Sequence, residues 1–247
     1  MGAVCEYGDL ERLAVTKTTS GIIVIPGANN FAAKQKDARP AAILNRAKSA
    51  CIQCTFCTDL CPRKLIGHQL RPHMVMRQMA AMDFGAPLEE NPILREALIC
   101  CECGICETFA CPMALSPRQV NIYIKKSLAG TRYQRDGERL EASRLRQYRK
   151  IAPSKIMARM GLLGLYNRKA KGFKELETGV VRIPLKQHIG VPASPVVSAG
   201  EKVECGQLIA AAGAKISANI HASITGLITK IDDAIEIVRE EINQKEF

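Results

Sequence analysis

Nine of the 11 cysteines fall in two short runs, and each run ends on a cysteine followed by proline. The first is Cys51-Ile-Gln-Cys54-Thr-Phe-Cys57-Thr-Asp-Leu-Cys61-Pro62. The second is Cys100-Cys101-Glu-Cys103-Gly-Ile-Cys106-Glu-Thr-Phe-Ala-Cys111-Pro112. The first fits C-x2-C-x2-C-x3-C-P, the bacterial spacing for a cubane iron–sulfur cluster. The second, counted from Cys100, reads C-x2-C-x2-C-x4-C-P. Three cysteines on a tight loop reach three corners of one cube, while the fourth, held just before a proline, points to the other cluster. The spacing therefore predicts two 4Fe–4S clusters, one on Cys51, Cys54, Cys57 and Cys111, the other on Cys100, Cys103, Cys106 and Cys61. Cys101 would leave a single residue before Cys103 and reads as a bystander. Zinc calls for cysteine pairs split by a spacer, and a disulfide framework belongs to secreted chains. Neither accounts for four cysteines and a trailing proline twice over. Cys5 and Cys205 are isolated and read as small packing residues.

A chain of 247 residues has room for two modest domains, and with 47% apolar residues but no tryptophan its cores must be aliphatic. The N-terminus has no basic region leading into an apolar run, so it does not read as a signal peptide. No apolar stretch reaches membrane-spanning length. Thiols and thiolate clusters suit a reducing compartment, so the expected location is the cytoplasm or a compartment within it. Much of the net charge of +11 lies between Lys125 and Lys174. Such a segment suits an acidic partner, an anionic surface or plain solvation. It lacks the interleaved aromatics of a nucleic-acid reader, and no nucleic-acid partner is expected.

In chain order, Thr16, Thr18, Thr19 and Ile22–Ile25 have strand propensity and suggest a short β remnant within residues 1–33. A helix is expected from about Lys34 to Ala50, delivering the first run. Two more should fill the spacer, one over Gly67–Asp83 with Met74, Met76, Met79 and Met82 as core or cluster lining, the other starting at Asn91-Pro92. His68 and His73 are conceivable iron ligands, but the cysteine count is already complete. Ser116-Pro117 reads as the cap of a helix running to about Ala129. Residues 131–178 read as a basic helical linker whose stretch from Ile156 to Tyr166 packs back on the cluster domain, with a membrane-surface helix as the rival reading. From 179 to 247 short apolar runs divided by Gly, Pro and Ser indicate a small all-β unit, with strands at Val180–Leu185, Pro195–Val197, Gly206–Ala212 and Gly226–Ile231. His188 and His221 read as structural. The fold class is thus α+β: a helical two-cluster ferredoxin domain over 34–130 followed by the β unit.

Gly200-Glu-Lys-Val-Glu-Cys-Gly-Gln207-Leu-Ile with His221-Ala-Ser-Ile-Thr-Gly226 resembles the barrel-sandwich hybrid fold of biotinyl and lipoyl domains. Such domains carry a modified lysine 11 residues before the glycine; Lys215 sits there, yet Ala214 and Ile216 are not the usual neighbours, so an exposed turn lysine is expected. With Val15-Thr-Lys-Thr-Thr-Ser-Gly, both cysteine runs, Cys111-Pro-Met-Ala-Leu-Ser-Pro-Arg-Gln-Val-Asn and Ile183-Pro-Leu-Lys-Gln-His-Ile-Gly, the chain resembles one family of iron–sulfur flavoproteins. That family contains the RnfC component of the Rnf ferredoxin–NAD oxidoreductase and the cobalamin reductase of propanediol utilisation. The resemblance implies that residues 1–33 end a β-grasp domain, and that FMN and NADH belong to a missing N-terminal half or partner chain. A β unit at the C-terminal end implies the microcompartment cobalamin-reductase type. The implied partners are a flavin- and NADH-binding half or subunit, a corrinoid-dependent enzyme as acceptor and a microcompartment shell. No glycine-rich dinucleotide fingerprint occurs, and no catalytic residue is assigned. Two rivals stand beside this electron-transfer reading. One is a subunit of a membrane-associated Rnf-type complex. The other is a non-redox docking or scaffold protein with structural metal.

Overall fold

A computed structural model describes residues 13–25, 29, 39–82, 86–134, 140–166, 168–169, 171–172 and 177–239. Cys5, most of the 1–33 segment and the start of the helix expected from Lys34 lie outside them. The chain divides into two compact units, one mainly helical and one built of β-strands.

The helical unit is laid out by prolines at first-turn positions. Helices α1 (Pro40–Ala50), α2 (Phe56–Asp59), α3 (Pro62–Leu65), α4 (Pro72–Ala81), α5 (Pro92–Arg95), α6 (Pro117–Ser127), α7 (Pro153–Arg159) and α8 (Leu163–Tyr166) follow in order. In six of them the first residue is proline, whose fixed φ suits a helix start and whose missing N–H would be unpaired there. Asn91 caps α5 through its side-chain oxygen, which accepts from the N–H groups of Ile93 and Leu94. A 3-10 turn over Glu96–Ile99 then carries the chain to Cys100. The expected Gly67 start of α4 is corrected to Pro72, because His68–Arg71 pass over the end of α3 in extended form before the proline sets a new helix. Ser116 stands at the N-cap position of α6, but its side chain makes no capping bond.

Helices α1, α4 and α6 pack on one another. Val120, Ile124 and Leu128 recur every four residues and form a buried stripe on α6 and its exit. They meet Leu44 and Ala47 of α1 and Val75, Met76 and Met79 of α4. Each large aliphatic side chain contributes about 1.5–3 kcal/mol by burial. The methionines are core residues, as expected, and Met76 also lines one of the cysteine cavities.

The basic stretch after α6 is pinned rather than free where it is described. The Ser143 N–H donates to the Leu65 carbonyl at 3.0 Å, and Arg149 Nη1 pairs with Asp59 Oδ1 at 3.0 Å. Residues 144–149 form turns, not the exposed helix expected there. At Gly67 φ is +101°, and a Cβ would meet the backbone N of Glu141 at 2.9 Å. Gly67→Ala is therefore expected to cost about 1–3 kcal/mol, read by chemical denaturation. Unchanged stability would show that the 141–143 contact does not stabilise the fold. Downstream, α7 packs on the turn between Cys106 and Cys111 as expected, with Leu162 buried, while Leu163 and Leu165 are exposed.

In the β unit, strands β1 (Val180–Pro184), β2 (Ser194–Pro195), β3 (Lys202–Val203), β4 (Leu208–Ala211), β5 (Ile220–His221), β6 (Gly226–Ile231) and β7 (Ala234–Val238) form two antiparallel sheets. Their orders are β1-β7-β6-β3 and β2-β4-β5. The β6–β7 hairpin, in register at Ile228↔Ile237 and Ile231↔Ile235, supplies the centre of the core with Ile209, Ile220 and Val203. Residues 13–25 form no strand, which corrects the expected β remnant for the part described. Their backbone makes a turn closed by the Thr19 N–H on the Thr16 carbonyl, and Ile22, Ile23 and Val24 are exposed. Strand propensity without a partner strand does not make a strand. Lys215 lies exposed in the β4–β5 connection. Among the described residues no helix is long and apolar enough to cross a membrane.

Candidate functional site

The two cysteine runs fold as two copies of one local motif. Each starts where a helix ends: the Cys51 N–H closes on Ala47 and the Cys100 N–H on Ala97. Each then coils through left-handed backbone on both sides of its middle cysteine. In the first run these residues are Gln53 (φ 53°) and Thr55 (φ 64°); in the second they are Glu102 (φ 58°) and Gly104 (φ 77°). Left-handed residues are uncommon outside glycine, and their recurrence at matched positions marks a backbone held to a purpose. The effect is to wind three cysteines around one cavity.

The extra residue of the second run has a structural solution. Between Cys57 and Cys61 the backbone follows the short helix α2. Between Cys106 and Cys111 it forms a π-turn over Cys106–Ala110, in which the Cys111 N–H reaches back five residues to the Cys106 carbonyl at 3.1 Å. The insertion is absorbed as a bulge, and Cys111 still ends in extended backbone before Pro112.

One cavity is lined by Cys51, Cys54, Cys57 and Cys111, closed by Met76 and Leu115. A second is lined by Cys61, Cys100, Cys103 and Cys106, with Cys101, Leu70 and Asn121 beside them. The structure thus brings together the two sets of four that the spacing predicts, each with one cysteine from the opposite run. Cys101 is exposed and lies at the rim of the second set. Among the described residues no three His, Cys, Asp or Glu side chains converge on a single-ion site. The sulfurs ring a space, which suits a polynuclear group with several metal corners.

Electrostatics report the same grouping. Burial first, then the sulfurs of Cys111, Cys54 and Cys51, push the Cys57 thiol up to about 12. Cys61 is pushed up to about 11, chiefly by burial, with Cys103 and Cys100 adding. Burial likewise raises Cys103 and Cys106. Crowded buried thiols hold their protons in the absence of metal, and binding a group that takes thiolates releases them. Two backbone N–H groups already aim at sulfur: Glu102 N–H at Cys100 Sγ (3.4 Å) and Leu115 N–H at Cys111 Sγ (3.3 Å). Such bonds favour thiolate. Lys125 Nζ, on α6, bonds the Cys100 carbonyl at 2.6 Å and Glu102 Oε1 at 2.7 Å.

Charged residues that sequence reasoning passed over brace both loops. Arg118 Nε of α6 pairs with Glu107 Oε1 at 2.7 Å, with side-chain exposures of 7% and 1%. Arg71 binds Glu96 through its backbone N–H and guanidinium. Neither pair has a sequence signature, since their members lie 11 and 25 residues apart. The histidines hold other bonds: His73 shares a 2.7 Å bond with Thr58 Oγ1 and lines the first cavity, and His68 Nε2 meets Arg63 at 3.4 Å. Burial and the Arg71 charge hold His73 below its usual range. In the β unit His188 Nδ1 accepts from the Gly190 N–H, a structural role. His221 is exposed on β5. Cys205 is exposed, not packed; its thiol donates to the Ser223 carbonyl from a surface turn.

Comparison with known proteins gives the same two parts. The 4Fe-4S dicluster domain family matches residues 50–116, and the RnfC barrel sandwich hybrid domain family matches residues 173–244. Cobalamin reductase PduS of Salmonella typhimurium is 36% identical over 228 residues, 91% of this chain and 49% of that protein. The PduS of Citrobacter freundii is 34% identical over the same shares. The RnfC-type component of the proton-translocating ferredoxin:NAD(+) oxidoreductase complex of Clostridium ljungdahlii is 55% identical over 53 residues, 22% of this chain and 12% of that component. The chain spans about half the length of the cobalamin reductases it matches. These matches support an iron–sulfur electron-transfer role. The chain belongs to the family that joins PduS-type cobalamin reductases with RnfC-type subunits.

Proposed function

We propose that this chain is a two-cluster electron-transfer module, with one 4Fe–4S cluster on Cys51, Cys54, Cys57 and Cys111 and a second on Cys61, Cys100, Cys103 and Cys106. The observation that carries this reading is the exchange of the proline-preceding cysteines between the two cavities. Bound clusters would supply one-electron carriers whose potentials follow hydrogen bonding to sulfur and burial. The chain's own residues supply those terms. Glu102 N–H and Leu115 N–H reach sulfur. Met76 and Leu115 limit water at the first site, and the Lys125 ammonium adds positive charge beside the second. Cys57 and Cys106 lie near enough to influence one another's charge, so the two sites adjoin.

The finer reading is that electrons come from an NADH-reduced flavin, an FMN held on another domain or chain, and pass to a corrinoid acceptor. It is supported by the likeness to two cobalamin reductases over 91% of this chain. Residence in the cytoplasm, within a microcompartment and in contact with its shell, belongs to the same proposal, and rests on the resemblance that the C-terminal β unit carries. A second reading, a subunit of an ion-translocating ferredoxin–NAD complex, is favoured by the local likeness to the Clostridium ljungdahlii component. Tight association with membranes after cell lysis would select it.

Iron, acid-labile sulfide and zinc per chain after anaerobic purification test the proposal. About eight irons and eight sulfides, with paramagnetic signals on reduction, are expected. Roughly two zincs without sulfide would replace it with a structural metal scaffold.

A further inference from the structure

Between the cysteine loops and α7 lies an open pocket of about 400 Å³ in the helical unit. Its apolar wall is Phe56, Leu60, Phe109 and Pro112. Each adjoins a cysteine in sequence or stands two residues from one: Phe56 precedes Cys57, Leu60 precedes Cys61, Pro112 follows Cys111, and Phe109 lies two before Cys111. The polar rim is the Asp59–Arg149 pair and Arg159. Arg159 lies over the Phe109 ring, 5.9 Å from its centroid. Among the described residues no acidic side chain pairs with Arg159, and it is exposed.

These features select one ligand chemistry. Two aromatic rings, Phe56 half exposed, offer a stacking surface that water covers poorly. An arginine already stacked on one ring presents its guanidinium edge to an acid group with little loss of side-chain freedom. The second arginine is neutralised by Asp59, so the rim keeps one net positive charge. The volume lies within the range of small-molecule sites. We propose that this pocket binds a planar aromatic ring bearing one acid group, the chemistry of an anionic flavin or quinone, with the ring on Phe56 and Phe109 and the acid group on Arg159. The assignment of such a redox ligand rests on the two-cluster reading above, because the wall adjoins cysteines of both sites.

Anthraquinone-2-sulfonate is the probe, titrated by calorimetry into the chain as purified anaerobically. Saturable one-to-one binding is expected, weakened by added sodium chloride. Arg159→Glu and Phe109→Ala should each weaken it at least tenfold. Lys215→Glu, with the same charge change on an exposed turn of the other unit, should leave it within twofold. Binding within twofold of the parent in both pocket variants, at parental thermal stability, overturns the proposal. Loss in Arg159→Glu alone also overturns it, reducing the site to an anion contact that sodium phosphate would occupy equally well. The calorimetry reads binding whatever the iron content. Binding in a zinc-loaded chain would sink the cluster reading and leave the pocket; no binding in a chain with about eight irons would do the reverse.

Discussion

Cys111→Ser will strip the site of the first cysteine run, not that of its own. Cys111 shares a cavity with Cys51, Cys54 and Cys57, and its sulfur helps raise the Cys57 thiol. Iron per chain should fall from about eight to about four. The paramagnetic spectrum of the remainder should match that of Cys51→Ser. Cys61→Ser should give the other half-loaded form, matching Cys103→Ser, since Cys61 lies with Cys100 and Cys103. If Cys111→Ser instead pairs spectroscopically with Cys103→Ser, each run ligates its own cluster and the crossed assignment fails.

The second large effect is on stability. Glu107 stands next to Cys106 on the π-turn, and its carboxylate meets Arg118 of α6 where water scarcely reaches either. Glu107→Leu leaves a buried guanidinium without its counter-charge, at a cost of about 3–5 kcal/mol. In a unit of this size that is roughly 6–20 °C in Tm. The double variant Glu107→Leu/Arg118→Met should recover most of the loss, because two apolar groups of similar volume remove the desolvation cost together. Thermal denaturation of the single and double variants reads both outcomes. A Glu107→Leu chain as stable as the parent would show that the pair contributes nothing.

Much of the site was legible because its signal is local. Three cysteines at x2 spacing with a proline-flanked fourth state a chemistry whatever surrounds them, and Asn91-Pro92 and the prolines at 40, 62, 72, 117 and 153 announce helix starts within one turn. The left-handed residues beside Cys54 and Cys103 were less legible, since only Gly104 among them advertises positive φ.

Strands show where local reading stops. β6 lies at Gly226–Ile231, where its apolar run predicts it, but β3 and β5 are two residues long and carry no period to detect. β7 does alternate, Ile235 and Ile237 inward around Glu236, yet it falls outside the four expected runs. Residues 22–25 have the propensity and no partner, and stay extended without pairing.

The sequence by itself therefore determined the cysteine loops, the starts of the helices and the α+β composition, all written within a few residues of each other. Tertiary structure alone decided that the x4 spacing closes through a π-turn, that Glu107 meets Arg118, that Ser143 and Arg149 fold back on the cluster unit, and that Phe56 and Phe109 share a pocket with Arg159. Apart from the π-turn, these join groups 11 to 103 residues apart, the longest being Phe56 to Arg159. Contacts at that separation depend on how packed helices place their side chains, and no local spacing encodes them.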